Sequence, residues 1–185
     1  LEVAPNEKGK GHSTENSVVG GAIPKEFISA VMAGVSMSMT NGIIAGYPVV
    51  DVHVNVKDGS YHDVDSNENA FKMAAIFAMR DAFKNAKSIL LEPIMDVEIT
   101  TPEDYQGDIM GDLNRRRGQI QEISNKGKAA IVNAKVPLAE MFGYSTDVRT
   151  MSSGRASYSM EPSSFEATPQ MIVDGIVKER GGVAA

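Results

Sequence analysis

The sequence predicts an α+β protein of two small domains, and three observations lead to that prediction. Val50, Val52, Val54 and Val56 alternate with polar residues, which is typical of a strand with one buried face. Apolar residues recur at four-residue steps on either side of this strand, as they do along helices. From Ile89 onwards the predicted elements follow the order β-α-β-β-α-β, which is that of the ferredoxin-like fold.

The first domain, residues 1–88, is predicted to have the order β-α-β-α. The polar start LEVAPNEKGKGHSTE predicts the end of an edge strand and a loop, and ENSVVGG predicts a short strand. Pro24 opens a helix, since its missing N–H would go unpaired in a first turn anyway. We expect Asn41 and Gly42 to end this helix, because both residue types tolerate positive φ. Its apolar face comprises Phe27, Val31, Val35 and Met39.

A second helix of this domain is predicted after the valine-rich strand, from about Ser66 to Lys87. Its apolar stripe is predicted to comprise Phe71, Ala75, Ala78 and Ala82. Asp65 followed by Glu68 has the spacing of a capping box, in which the two side chains bond the free amides of a helix start. Both charges also favour the positive end of the helix dipole.

The second domain is predicted over residues 89–165. LLEPIMDVEITTP is a strand, and DYQGDIMGDLNRRRG is a helix that ends at Gly118. QIQEISNKGKAAIVNAKVPL is a hairpin that turns at residues 125–127. AEMFGYSTDVRTMSSG is a second helix, RASYSMEPSSF is the last strand, and ATPQMIVDGIVKER is a final helix outside the domain.

Charge and composition exclude several classes of function. The 185 residues include 18 Lys and Arg against 24 Asp and Glu, a net charge of −6, whereas duplex DNA binding requires the opposite balance. No apolar run approaches the roughly 20 residues of a membrane span. Cys is absent, which excludes disulfides and thiolate metal sites and predicts a cytoplasmic protein. No basic, apolar signal segment follows Leu1, so no export signal is predicted. Because residue 1 is Leu rather than Met, we expect a piece of a longer protein.

The stretch DGSYHDVDS, residues 58–66, carries a histidine between a strand and a helix. As a general base, His62 would need a nucleophile or a substrate proton within reach, and neither Ser60 nor Ser66 is a convincing one. As an exposed turn residue it would need no partner. DVDSNEN starts like a calcium-binding EF-hand loop, but Glu68 and Ala74 replace its required Gly and Glu. The three histidines lack paired zinc spacing, so no metal site is predicted.

Arg115, Arg116 and Arg117 form the densest basic cluster. Cations in the last turn of a helix complement its dipole, and a phosphate contact is the alternative interpretation. Neither G-x-x-x-x-G-K-[ST] nor G-x-G-x-x-G follows a predicted strand, so no nucleotide site is predicted. The residues alone therefore indicate two small domains of a binding module.

Five stretches together resemble translation elongation factor G. They are GGAIPKEFISAV, AGYPVVDVHVNVKDGSYHDVDSNENAFKMAA, LLEPIMDVEITTPEDYQGDIMGDLNRRRG, VPLAEMFGYSTDVRTMSSGRASYSME and the closing helix. They match the two C-terminal domains of the family, called IV and V, over nearly the whole chain. The family's R-G-Q-[YF]-G-H segment, a second loop of the domain IV tip, precedes the first residue here.

The resemblance implies a fold for each domain. Domain IV, residues 1–88, would be an N-terminally truncated split β-α-β domain, like that of a small-subunit ribosomal protein and with a left-handed crossover. The C-terminal helix, within residues 166–185, would pack back onto it and complete it. Domain V, residues 89–165, would be ferredoxin-like, in agreement with the order of elements predicted above.

The resemblance also implies a function, in which the intact GTPase moves tRNA and mRNA by one codon. The tip of domain IV would contact tRNA and mRNA at the decoding site through Ser60, Tyr61, His62 and Asp63. In domain V, Arg115, Arg116 and Arg117 would be candidates for contacts with rRNA phosphates. Further expected partners are ribosomal proteins, and we expect a monomer that binds neither DNA nor membranes.

The same resemblance implies that this chain has no enzymatic activity of its own and binds no cofactor, since GTP and magnesium would bind the G domain of the parent protein. The location would be the cytoplasm, or an organelle matrix if the parent is organellar. A recycling paralogue and a stand-alone ribosome- or RNA-binding protein are the alternatives within this interpretation. A small metal-independent hydrolase is the alternative from a different class.

Overall fold

The computed structural model describes residues 1–181 and divides the chain into two compact units. The first unit comprises residues 1–90 and the C-terminal helix, and the second comprises residues 91–168. The change from the first to the second unit falls two residues after the boundary predicted from the sequence. Each unit has its own hydrophobic core. Within residues 1–181, no helix is both long and apolar enough to cross a membrane.

The first unit contains a three-stranded sheet with β1 (Glu2–Pro5), β2 (Ser13–Asn16) and β3 (Val52–Val56). β3 is the central strand, antiparallel to β1 and parallel to β2. The short strand predicted at ENSVVGG starts at Glu15, whereas β2 starts at Ser13, so the prediction was too late in the sequence. All four residues of β2 are exposed, so this strand is defined by backbone pairing with β3 and carries no alternation of apolar residues.

Helices α1 (Ile28–Thr40) and α2 (Glu68–Asn85) pack together in the first unit. Val31, Val35 and Met39 of α1 are buried, which confirms most of its predicted face. α1 ends at Thr40 with Asn41 as its C-cap, as predicted, but neither Asn41 nor Gly42 adopts the positive φ on which that prediction was based. A Cβ on Gly34 would overlap the Lys72 carbonyl oxygen, so only glycine permits this close approach of the helices.

The buried stripe of α2 differs in part from its prediction. Phe71 and Ala75 are buried as expected, and the stripe continues through Met79 and Phe83. The predicted Ala78 and Ala82 are only partly buried. Met79 and Phe83 continue the four-residue steps from Phe71 and lie in one cluster with the valines of β3. Their side chains bury more apolar surface there than the side chains of Ala78 and Ala82 would.

The second unit has the ferredoxin-like order of elements that was predicted. It contains β4 (Leu91–Pro102), α3 (Gln106–Arg115), β5 (Gln119–Lys126), β6 (Ala129–Pro137), α4 (Tyr144–Met151) and β7 (Ser157–Ala167). The strand order is β5-β6-β4-β7, and every neighbouring pair is antiparallel. The inner face of this sheet and the two helices form one core, which includes Val97, Ile99, Ile109, Leu113 and Val132. The α+β fold class is thus confirmed.

The last helix, α5 (Gln170–Arg180), belongs to the first unit. Val173 is buried in a small cluster with Ile44 and Leu90. At the other end of the helix, the guanidinium of Arg180 lies 4.3 Å from the centre of the Tyr47 ring. An apolar contact and a cation–π contact therefore hold α5 on the segment that follows α1.

Candidate functional site

The β3–α2 loop, residues 57–67, carries most of the residues predicted to be functional. It leaves the sheet at Val56, whose carbonyl accepts a 2.9 Å hydrogen bond from Ser17 N–H in the neighbouring loop. The side chain of Ile23 in that same neighbouring loop is buried against Gly59. A Cβ on Gly59 would lie 2.6 Å from Ile23 Cγ1, so the two loops are in direct contact. Sequence reasoning missed this contact.

Three stacked aromatic rings fix the first half of the β3–α2 loop. The Tyr61 ring stacks on Phe27, with 6.0 Å between the ring centres, and Phe27 stacks on Phe71 at 4.9 Å. Burial against this stack raises the pKa of the Tyr61 hydroxyl, and the nearby Asp63 carboxylate raises it further. Tyr61 thus anchors the loop on the starts of α1 and α2 while one part of its ring stays exposed.

A closed turn fixes the second half of the loop. The backbone N–H of His62 donates to Ser66 Oγ at 2.9 Å, and the His62 carbonyl accepts from the N–H groups of Asp65 and Ser66 at 3.2 and 3.0 Å. The side chains of His62 and Asp63 are exposed, and Val64 is 93% exposed. The backbone therefore presents these three side chains to the outside.

The predicted capping box of Asp65 and Glu68 is wrong. α2 starts two residues later than a cap at Asp65 requires, and Asn67 is its N-cap. Asn67 Oδ1 accepts a 2.9 Å hydrogen bond from Ala70 N–H. The backbone N–H of Asp65, which a capping box would offer to the Glu68 side chain, donates instead to the His62 carbonyl at 3.2 Å. Glu68 lies in the first helical turn, where its charge favours the helix dipole.

The β3–α2 loop is acidic, with carboxylates at Asp58, Asp63 and Asp65. Lys57, the only Lys or Arg in the loop, pairs with Glu2 on β1. Since carboxylates repel phosphates, this loop cannot bind a nucleic acid by electrostatic attraction to the phosphate groups of that nucleic acid. Hydrogen bonds from His62, Ser60 and Tyr61, together with the shape of the turn, are the interactions that it can offer.

Hydrolytic chemistry finds no support at His62. Ser66 uses its hydroxyl to accept a bond from the His62 backbone, and Ser60 is an exposed loop residue. A group resembling a catalytic triad lies elsewhere on the sheet, where Ser13 Oγ is 2.8 Å from His53 Nδ1 and Glu15 Oε2 is 3.6 Å from His53 Nε2.

In this group of Ser13, Glu15 and His53, the first two residues are exposed and His53 is half-buried. Ser13 Oγ also accepts from Asn6 Nδ2 at 2.9 Å, and none of the three residues lines either cavity described for residues 1–181. A hydrolase needs a pocket that binds its substrate and excludes water, so the geometry favours a surface hydrogen-bond network. Across the same described residues, no three His, Asp or Glu side chains cluster as metal ligands would.

The arginine cluster in the second unit proves to be mostly internal. Arg116, whose side chain is only 11% exposed, pairs with Asp112 and Asp147 and donates to the Glu140 carbonyl at 2.6 Å. Arg117 binds both carboxylate oxygens of Glu92 at 2.8 Å. These bonds leave Arg116 and Arg117 little capacity for an external phosphate. Arg115, which is 76% exposed and pairs with Asp112, keeps that capacity.

The end of α3 also differs from its prediction, since Gly118 is not the residue in the left-handed conformation. Arg117 adopts that conformation, with φ 59°. Its N–H bonds the Asn114 carbonyl at 3.1 Å, and the Gly118 N–H bonds the Leu113 carbonyl at 2.8 Å, which together make a Schellman motif. Gly118 is needed for space, because a Cβ there would lie 2.7 Å from the Leu113 oxygen.

Comparison with known proteins identifies relatives for both units. The family model described as Elongation factor G, domain IV matches residues 1–87, and that described as Elongation factor G C-terminus matches residues 89–176. The crystal structure of a protein from Thermus thermophilus is similar over 96% of this chain, with 33% sequence identity and a TM-score of 0.80. This chain spans 26% of that protein's length.

Proposed function

Because the chain belongs to the elongation factor G family, with its domain IV and its C-terminal domain, we propose that it is the ribosome-contacting part of a translocating GTPase. In this proposal the β3–α2 loop enters the decoding region of the small subunit. It contacts the tRNA and mRNA there while the intact factor moves them by one codon. The intact factor would be a monomeric cytoplasmic protein.

The observation that supports this proposal best is the closed turn of residues 62–66. The aromatic stack at Tyr61 fixes the first half of the loop, and the hydrogen bond of His62 N–H with Ser66 Oγ fixes the second half. Between these anchors the exposed side chains of His62 and Asp63 point away from the core. An element that has to occupy a site vacated by RNA benefits from such rigidity, because less conformational freedom is lost on contact.

The charge of the loop suits a contact that has to be released in every cycle. RNA offers 2′-hydroxyls and base edges, which imidazole, hydroxyl and carboxylate groups can bind without neutralising phosphates. The three aspartates of the loop weaken phosphate attraction, so the contact relies on hydrogen bonds and on steric exclusion. His62 is then a contact residue, and it neither transfers protons nor attacks a substrate.

GTP hydrolysis is assigned to no residue of this chain. Both standard types of phosphate-binding loop are absent from its sequence, and the residues present offer no fit for GTP and magnesium. We place that chemistry in a G domain of the parent factor. In domain V we assign only Arg115 to a contact with rRNA phosphate, because Arg116 and Arg117 are bound by carboxylates.

Photo-crosslinking tests this proposal directly. A photoreactive p-benzoylphenylalanine replaces His62 in the intact factor, which is then bound to ribosomes that carry tRNA and mRNA. We expect crosslinks to tRNA or to small-subunit rRNA. The matched control carries the same group at Asp174 on the exposed side of α5, and it should give none of these products. Equal crosslinking patterns from the two positions would contradict the proposal.

A further inference from the structure

The first unit contains a cavity that the proposed function does not use. It has a volume of about 380 Å³ and lies beside the segment that follows α1. Arg80 and Lys84 on α2 and Arg180 on α5 line it, together with Asn41, Gly42, Ile43, Ala45, Gly46 and Gly181. This site is called the basic cavity below.

Charge distinguishes the basic cavity from the rest of this acidic chain. Three cations line it, and none of its lining residues is a carboxylate. Within residues 1–181, Arg80, Lys84 and Arg180 form no ion pair, so no carboxylate of this part of the chain neutralises them. Arg80 and Lys84 also stand four residues apart on one helix face, where like charges repel.

Helix dipoles account for only part of this positive charge. The C-terminal ends of α1, α2 and α5 all adjoin the basic cavity, and each carries roughly half a negative charge. Three such ends amount to roughly −1.5 charges against +3 from the side chains, so a surplus of roughly +1.5 remains. An anion that enters the cavity would neutralise this surplus.

Gly46 lets a ligand approach the backbone of the basic cavity closely, because a Cβ there would meet no atom within 4 Å. Gly42 is needed for packing, since a Cβ there would lie 2.7 Å from the Tyr47 carbonyl oxygen. Ala45, between the two glycines, adopts a left-handed conformation with φ 51°, which is unfavourable for a residue with a Cβ, and residues in such conformations cluster at ligand sites. The cation–π contact with Tyr47 holds the Arg180 guanidinium in place.

A second cavity, of about 180 Å³, shares Asn41, Ile43 and Arg80 with the basic cavity. Its other walls are mainly apolar and include Met37, Ile76 and Phe83. A positively charged cavity next to an apolar cavity fits a ligand in which anionic groups alternate with flat apolar groups. A single-stranded nucleic acid has that chemistry, because each phosphate lies beside a base that can bury its face.

We propose that the basic cavity binds a backbone phosphate of an RNA strand and that the adjoining apolar cavity receives an unpaired base. The choice of RNA rests on the proposed function, while the phosphate site rests on the three cations alone. Such a site would give domain IV a phosphate-based contact away from its acidic β3–α2 loop.

The test is an NMR titration of the full chain with an unstructured oligouridine, with inorganic phosphate as a second probe. We expect the amide signals of Gly42, Gly46 and Gly181 to shift with both probes and to shift further with RNA. Shifts with phosphate alone would contradict the RNA assignment. No shift at these amides would overturn the whole proposal.

A matched pair of variants gives the affinity test. Arg80→Gln, Lys84→Gln and Arg180→Gln together should weaken oligouridine binding at least tenfold and lower its log–log salt slope by roughly 0.7, the value for one phosphate of a single strand. The control Lys126→Gln, Lys128→Gln and Lys178→Gln removes the same charge from exposed sites outside the cavity, and it should weaken binding less than twofold. Equal losses in both variants would show a general charge effect and overturn the site.

The test of the basic cavity can fail or succeed independently of the test of the proposed function. If the cavity variant binds RNA normally while the factor still crosslinks from position 62, the basic cavity is wrong and the loop contact stands. If the cavity variant loses RNA binding while crosslinking from position 62 fails, the cavity stands and the loop contact is wrong.

Discussion

The backbone N–H of His62 donates a 2.9 Å hydrogen bond to the hydroxyl of Ser66, four residues along the chain. This bond closes the turn in which the His62 carbonyl accepts the N–H groups of Asp65 and Ser66. The position of the imidazole is therefore set by backbone bonds, and its side chain stays available for a partner. Ser66, which sequence reasoning weighed only as a nucleophile, is a positioning residue.

Ser66→Ala removes the acceptor of the His62 N–H and should loosen the turn. Because one exposed hydrogen bond is lost, the free energy of unfolding should fall by only about 1 kcal/mol. Hydrogen exchange at the amide of His62 should become faster, and translocation by the intact factor should slow severalfold. Ser60→Ala, in the same loop, is the control for the exchange measurement, and it should leave hydrogen exchange at His62 unchanged because Ser60 does not accept this bond. Unchanged exchange at His62 in the Ser66 variant would contradict the role of the turn.

Asn67→Ala removes the N-cap of α2 and should lower the free energy of unfolding by about 1 kcal/mol. Urea denaturation of the isolated chain measures this change. Asp65→Ala is the matched control, since Asp65 is exposed and makes no cap. We expect its effect to stay below about 0.5 kcal/mol. A larger loss from Asp65→Ala than from Asn67→Ala would restore the capping box that the structure excludes.

Arg116→Gln removes one of the two arginines that pair with the nearly buried Asp112. The free energy of unfolding should fall by on the order of 3 kcal/mol, because the Asp112 carboxylate and the Glu140 carbonyl each lose a charged donor in a nearly buried site. Arg115→Gln should change stability by less than about 0.5 kcal/mol, since that side chain is 76% exposed. In the intact factor, Arg115→Gln should instead reduce the salt dependence of ribosome binding.

Denaturation curves and binding isotherms at several salt concentrations separate the two arginines. A stability loss from Arg115→Gln as large as that from Arg116→Gln would contradict the assignment. An unchanged salt slope would remove Arg115 from the candidates for a phosphate contact.

Asp51 makes the stability of the first unit depend on pH. The N–H groups of Gly9 and Gly11 each donate a 2.8 Å hydrogen bond to its carboxylate and hold its pKa below the ordinary value of 3.8. Since the folded-state pKa is the lower one, the carboxylate stabilises the fold at neutral pH. That stabilisation is lost as the pH falls from about 4 through the folded-state pKa.

Asp51→Asn tests this dependence without adding backbone strain, because asparagine tolerates the φ of 54° at this position. The variant should melt at a lower temperature than the parent chain at pH 7, and the difference should shrink below about pH 4. Thermal melts of both chains between neutral and acidic pH measure it. Asp81→Asn, at an exposed position of α2, is the control. A difference independent of pH would show that the carboxylate charge is not involved.

Most residues with clear periodicity were predicted well from the sequence. Val54 and Val56 alternate with polar residues and are buried, and Val31, Val35 and Met39 follow the helical step and are buried as well. The alternation was wrong for Val50, which precedes β3 and is 48% exposed. The ferredoxin-like order of the second unit followed from the same signals. β2 gave no such signal, because an exposed edge strand is held by backbone bonds that the identity of its side chains does not determine.

The errors at the candidate site have a common physical cause, which is competition between local motifs. Asp65 and Glu68 have the spacing of a capping box, but the turn at His62 and the cap at Asn67 satisfy the same amides differently. The three arginines formed one cluster by sequence, yet Glu92 and Asp147, both distant along the chain, bind two of them. Tertiary partners of this kind cannot be found by local spacing.

The most direct test of the central claim is the kinetics of His62→Ala in the intact factor. Single-turnover translocation and ribosome-stimulated GTP hydrolysis are measured on the same ribosomes, with Asp174→Ala as a control for an exposed position away from the loop. We expect translocation to slow at least tenfold while GTP hydrolysis changes less than twofold. A parallel loss of both rates, or no change in translocation, would contradict the assignment of His62 as an RNA contact.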